Sequence, residues 1–229
     1  MPSITITKTM MDATDVDTML ENLTDMLSNR GDDVSEFSEH TYLTPKHMYK
    51  THQLVFHTDK TAVIFVPKQT ISGSVRTSIF KEFKEAKETR DPEQIIRVIS
   101  QSEDPEHVER NVSSVILVFD EDPQSHNRKI VADADKILMQ AGGIAQYFTY
   151  NELMYNPTRH VYVPLHEKLD DRQIKTLIDT YQLKSKSQLP AILRTDIIAR
   201  WLGLRHGDIV RITRNNPSSG TYYFYRCCV

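Results

Sequence analysis

The chain has 229 residues, 39% of them hydrophobic and 26% charged, enough to bury one large core or two small ones without help from disulfides or metals. A formal net charge of -3 and a pI near 6.3 exclude a global cationic field, so any nucleic-acid contact has to come from a local cluster, and autonomous DNA binding is not expected. The two cysteines, Cys227 and Cys228, are neighbours whose side chains point apart on an extended backbone, which argues against a bridge and for a reducing compartment.

The N-terminal stretch MPSITITKTMMDATDVD lacks a basic n-region and an apolar h-region, and the longest aliphatic runs, 63–66 and 115–119, are strand length. A soluble, intracellular protein is expected, in which the sequons at Asn22 and Asn111 and the Arg30-Gly31-Asp32 tripeptide are chance matches. From Asp15 to Asn29 the residues Val16, Met19, Leu20, Leu23, Met26 and Leu27 recur at helical spacing, and Gly31 closes the helix. Residues 53–57 and 61–66 read as two strands joined by Thr58-Asp59-Lys60, a hairpin-length loop. Residues 75–87 carry Ile79, Phe80 and Phe83 among Lys and Glu, an amphipathic helix stopped at Asp91-Pro92, and 94–100 is a short strand or helical turn before a polar loop. The β-branched run VSSVILVF, 112–119, is a buried strand; 120–129 is a loop, and 130–140 a helix capped by Gly142-Gly143. Alternation of strands and helices at this spacing argues for an α/β layer.

Residues 147–153 and 161–163 are short strand candidates punctuated by Pro157 and Pro164. A helix over 170–184 starts at Asp170-Asp171 and turns Ile174, Leu177, Ile178 and Tyr181 inward, and another over 195–202 is capped by Thr195 or Asp196 and ended by Gly203. Gly207-Asp208 then leads into IVRITR, and 215–220 loops into TYYFYR. Composition changes little between the halves, so a boundary near residue 150 rests on topology.

Chemistry is hard to find. His40, His47, His52 and His57 have no cysteine beside them and no compact ligand spacing, so they read as surface or half-buried groups rather than a metal site. Asp12, Asp15 and Asp17 lack the glycine and terminal glutamate of a calcium loop and read as the acidic start of a helix. GxGxxG, GxxxxGK[ST], GxSxG and HExxH are all absent. A metal-dependent nuclease is the enzymatic alternative, since the hairpin carries Asp59, but the neighbouring strand VIFVPK has no acid two residues from its lysine. The last third has a different character. Gly203 and Gly207 bracket a turn that calls for φ > 0, and IVRITR and TYYFYR alternate apolar and outward residues. The plain reading is a hairpin with a solvated basic face; the sharper one is a surface for an acidic or extended partner chain using Arg200, Arg211, Arg214 and Arg226.

Over 150–229 the stretches HVYVPLHEKL, TYQLKSKSQLPAI, TDIIARWLGLRHGDIVRITR and SSGTYYFYR resemble the fifth subunit, shared by eukaryotic RNA polymerases I, II and III, of a family that also has an archaeal counterpart. IFVPKQTISGSVR and DEDPQSHNRK extend the likeness, more weakly, into the first half. Ile197 stands where the family usually has proline and His206 where it usually has a basic residue, departures that point to a divergent protist or large-DNA-virus copy.

The resemblance implies an α/β (α+β) chain with an N-terminal jaw domain, 1–149, similar in fold to restriction endonucleases but catalytically empty, and a small mixed α/β assembly domain, 150–229. It implies a non-catalytic subunit of a multisubunit DNA-dependent RNA polymerase with no cofactor, no metal, no small-molecule substrate and no membrane contact. The partners implied are the largest subunit and other subunits, with downstream DNA within the complex, in the nucleus or, for a viral copy, in a virion or cytoplasmic viral factory. A free-standing transcription adaptor is the other alternative. By the same resemblance Pro123, Gln124, Ser125, Arg128 and Lys129 lie near DNA, and Leu189, Pro190, Arg200, Arg211, Arg214, Tyr222 and Arg226 form the assembly interface. From the residues alone, 150–229 is expected to fold around one core holding Ile174, Leu177, Ile178, Tyr181, Leu189, Ile192, Ile198, Trp201, Leu204, Ile209, Ile212 and Tyr225.

Overall fold

The computed structural model describes residues 13–35, 54–66, 113–119, 122–123, 125–218 and 220–229. The expected elements at 75–87 and 94–100, together with His40, His47, His52, Asp12, Lys68 and Gln124, lie outside the described residues. The chain is mixed α and β, with two four-stranded sheets among the described residues.

The first sheet has the order β1-β2-β3-β4, formed by β1 (Leu54–His57), β2 (Thr61–Val66), β3 (Ser114–Phe119) and β4 (Ala145–Thr149). β1 and β2 form the expected antiparallel hairpin; β3 and β4 join in parallel. Strands buried on both sides read as unbroken apolar runs, and VILVF, 115–119, is such a run. Val63, Phe65, Ile116, Val118 and Phe148 face α1 (Ala13–Arg30), which contributes Val16, Met19, Leu23, Met26 and Leu27. The alternate residues Ile64, Val115, Leu117, Phe119 and Ala145 face α2 (Ser125–Gln140), which contributes Ile130, Val131, Ala134 and Leu138. α2 starts five residues earlier than its apolar periodicity does, so Ser125, Arg128 and Lys129 sit on a helix instead of in a loop.

Two further strand expectations need correcting. Only the first part of 147–153 is strand; Tyr150–Leu153 is a turn of helix, α3, because Thr149 and Glu152 close a reciprocal capping box. The segment 161–163 is a turn, and the strand, β5 (Leu165–Lys168), begins after Pro164.

The second sheet has the order β5-β7-β8-β6, with β6 (Ala191–Ile192), β7 (Ile209–Asn216) and β8 (Gly220–Cys228). It is covered on both faces. α4 (Asp171–Tyr181) lies on one, where Leu169, Leu177 and Ile209 are buried with Ile174, Leu189 and Tyr225 against them. The other holds Ile192, Ala199, Leu204, Val210, Ile212 and Cys228, with Ala199 supplied by α5 (Ile197–Trp201). Asp170 caps α4 and Asp196 caps α5, choosing between the two sequence candidates for the latter.

The single expected core for 150–229 is therefore two thin ones, and four of its expected members, Ile178, Tyr181, Ile198 and Trp201, belong to neither. Tyr181 is 59% exposed, its ring edge against Tyr225. Trp201, fully buried, packs in the first half's core with Val16, Met19 and Leu23. Cys227 and Cys228 are free and buried, and burial pushes the Cys228 thiol up to about 11.

Candidate assembly surface and the seam behind it

The four arginines expected to make one outward row do not share a surface. Residues 211 and 214 are three apart on β7, and strand side chains alternate every residue, so the two guanidinium groups lie on opposite faces of the sheet. Arg211 lies on the α4 side, paired with Glu167 at 3.0 Å and stacked on Tyr223. Arg214 and Arg226 lie on the α5 side, 5.1 and 5.7 Å from the Phe224 ring. Tyr222, directly opposite Arg214 in the β7–β8 ladder, is 41% exposed. Leu189 is half-buried under α4, whereas Pro190 is exposed and its carbonyl accepts from Cys227 N–H at 2.9 Å.

Arg200 leaves the surface altogether. Its guanidinium pairs with the Glu152 carboxylate and donates to the Tyr147 carbonyl at 3.0 Å, with only 16% of the side chain exposed. The reason is the edge of the first sheet. Among the described residues β4 is an edge strand, and its outward main-chain groups need partners. Asp135 of α2 accepts from Ala145 N–H at 3.0 Å, Arg200 takes Tyr147 O, and Glu152 accepts from Thr149 N–H at 3.0 Å. Three charged side chains thus stand where a fifth strand would, and Arg194 ties Asp135 to the second half at 2.5 Å. Burial alone would raise the Glu152 carboxyl, but the hydrogen bonds from Arg200 and Thr149 and the Arg200 charge outweigh it and hold it below the usual carboxylate range. Along this edge runs a cleft of about 760 Å³ in which each arginine has an acid: Arg128 with Asp122, Arg194 with Asp135, Arg200 with Glu152.

On the other side of the seam stands Arg30, which sequence reading took only as a helix terminus. Its guanidinium donates to Trp201 O at 3.0 Å, Arg200 O at 2.5 Å and Gln146 Oε1 at 2.8 Å. Two of these are carbonyls at the C-terminal end of α5, which favours a cation; Arg200 O also accepts from Gly203 N–H at 3.1 Å. Burial pulls the Arg30 guanidinium down to about 10, against a smaller opposing pull from Asp32. Gly203, at φ +61, follows α5 as expected; a Cβ there would sit 3.2 Å from Arg30 Nε. Gly207, at φ +86, has open space around it and serves the turn into β7.

Of the residues expected near DNA, Pro123 is buried and its carbonyl accepts from Arg128 Nε at 2.8 Å, while Arg128 also pairs with Asp122 at 2.5 Å. Ser125 and Lys129 are exposed on α2. Every residue of β2 with a described side chain is buried, and Ala62 to Phe65 are apolar, so no acid faces out there. Among the described residues no three His, Cys, Asp or Glu side chains gather as a metal site, and no helix is long and apolar enough to cross a membrane.

Residues 155–228, which hold the second sheet, match the family model described as RNA polymerase Rpb5, C-terminal domain. A Caenorhabditis briggsae protein named DNA-directed RNA polymerases I, II, and III subunit RPABC1 is 34% identical over 122 residues, 53% of this chain and 54% of that one. The chain thus spans about half the length of such eukaryotic relatives. The DNA-directed RNA polymerase subunit Rpo5 of Pyrococcus horikoshii is 39% identical over 75 residues, 33% of this chain but 90% of the relative. A Dictyostelium discoideum subunit, rpabc1, is 39% identical over 84 residues, 37% of this chain and 42% of its own.

Proposed function

The chain belongs to the RNA polymerase Rpb5 family, and from that we propose that it is a non-catalytic subunit of a multisubunit DNA-directed RNA polymerase, acting in transcription. The observations that carry this are the match of 155–228, the segment that holds the second sheet and its two cores, to the Rpb5 C-terminal domain, and the similarity of 75 residues of the chain to 90% of an archaeal subunit. A segment that is close to an entire polypeptide in one relative is a natural docking module. We therefore take 150–229 as the assembly domain, placed on the largest subunit, and 1–149 as a jaw domain beside downstream DNA.

A mixed sheet with α1 on one face and α2 on the other is compatible with a restriction-endonuclease-like jaw, and the apolar β2 fits one without a metal-binding acid on that strand. Catalysis then belongs to other subunits. Near DNA, Lys129 is the better phosphate contact of the two cations, because Arg128 is held by Asp122 and Pro123. Such a contact positions the duplex without reading sequence. The names of the eukaryotic relatives support a nuclear location, with a viral factory as the setting for a viral copy.

Native affinity purification of the full-length chain tests the reading. Stoichiometric recovery of the two large polymerase subunits is the expected result. A monomer that cuts DNA with magnesium, or one that brings down regulators but no polymerase, would overturn it in favour of a nuclease or a free-standing adaptor.

A further inference from the structure

The stretch 209–229 contains three arginines and no acid, and the sheet divides those arginines unequally. Arg211 is neutralised by Glu167 on the α4 side. On the α5 side Arg214 has no ion pair or side-chain hydrogen bond among the described residues. Arg226 makes one long bond to the Ala191 carbonyl, 3.3 Å, and its buried Nε has no partner. Both guanidinium groups are drawn over the same Phe224 ring. His166 on β5 sits opposite Ile212, so it joins this face with Ile212 between it and Phe224. Burial pushes the imidazole below its ordinary value; the Pro164 carbonyl and Asp196 pull up against it, and Arg226 and Arg214 push further down. Asp196 is the acid that faces this cluster, and its carboxylate already accepts from Ile198 N–H as the α5 cap.

We propose that the Arg214–Phe224–Arg226 face receives a carboxylate-bearing stretch of a partner polypeptide, an inference that rests on the reading of this chain as an assembled subunit. Two cations without acids, held in place by one aromatic ring, are pre-organised for a carboxylate, and a guanidinium fork gives that carboxylate paired, oriented bonds. Exposed Tyr222 at the end of the face supplies apolar area beside the charge. A nucleic-acid strand fits less well: the Phe224 ring is covered by the arginines rather than open for a base to stack on, and Asp196 would oppose a run of phosphates. The geometry divides the work between faces, one arginine spent internally on the α4 side and two held for a partner on the α5 side.

The test uses the full chain and three fluorescent probes: an oligoglutamate peptide, an oligoglutamine peptide of equal length, and an oligothymidylate. The glutamate peptide is expected to bind, the glutamine peptide not. Arg214→Gln with Arg226→Gln should weaken glutamate binding at least about tenfold, as expected for losing two charge-assisted contacts, while Arg211→Gln should change it by less than about twofold. Arg214→Lys with Arg226→Lys keeps charge without the fork and should fall between, a check that does not depend on the fold surviving neutralisation. Equal binding of the glutamine peptide, equal loss on Arg211→Gln, or tighter binding of oligothymidylate would each overturn the inference. Co-purification of the same variants separates it from the functional reading. If the wild-type chain and the double glutamine variant recover polymerase alike, the reading stands and the inference fails. If the wild-type chain recovers none, the reading fails and the peptide result alone decides the inference.

Discussion

Trp201→Ala is expected to cost about 3–5 kcal/mol of unfolding free energy, a cost typical of truncating a buried tryptophan. Trp201 is fully buried and belongs to the cluster of Val16, Met19, Leu23, Met26 and Leu27, although α5 carries Ala199 into the second sheet's core. The side chain is thus the peg that joins α5 to α1, and removing it both opens a cavity and uncouples the halves. Denaturation followed by circular dichroism should then separate into two transitions, one for each sheet. Trp201→Phe should cost only about 1–2 kcal/mol, because the indole N–H has no partner to lose and most of the volume is kept. A single transition with less than about 1 kcal/mol lost on Trp201→Ala would contradict a shared core.

The second large effect is expected at Arg30. Arg30→Leu should lower stability by about 3 kcal/mol, since it strands Trp201 O and Gln146 Oε1 and leaves Arg200 O with only its backbone partner Gly203 N–H. Arg30→Lys should recover only part, because an ammonium cannot span three acceptors in one plane as a guanidinium does. Gly203→Ala reports on the same joint from the other side: it adds a Cβ at φ +61 and presses on the Arg30 stem, so it should cost more than Gly207→Ala, where the added methyl meets no neighbour within 4 Å and the backbone conformation alone sets the cost. Chemical denaturation of the four variants checks the order. If Arg30→Leu proves neutral, the seam is held by Trp201 and the Arg194 and Arg200 pairs without it.

How far these features could be read beforehand depends on their range in the chain. Period-two and period-3.6 patterns are local, and they located α1, the β1–β2 hairpin, β3, α4 and the β7–β8 hairpin. The start of α2 was missed because Ser125 to Lys129 are polar and begin the helix before its buried face begins. The run Val161-Tyr162-Val163 imitates a strand, yet Val161 is 86% and Tyr162 88% exposed. β-propensity alone makes no strand without a neighbour to pair with. Two other signals are local: Thr149-Tyr150-Asn151-Glu152 carries the capping-box spacing that makes α3, and arginines three apart cannot share one face of β7. The seam is different. Arg30 meets residues about 170 positions away, and no local pattern distinguishes an arginine that will cap a distant helix from one that ends its own.

Family membership was legible because the matching motifs are dense in 155–228, and the central proposal is that this half is the docking module. Cross-linking mass spectrometry on the natively purified complex tests that most directly, since lysines mark both halves: Lys168, Lys175, Lys184 and Lys186 in the second, Lys60, Lys129 and Lys136 in the first. The account predicts that links to the largest polymerase subunit concentrate on the second group. Links to that subunit confined to the first group, or a complex with no polymerase subunit in it, would contradict it.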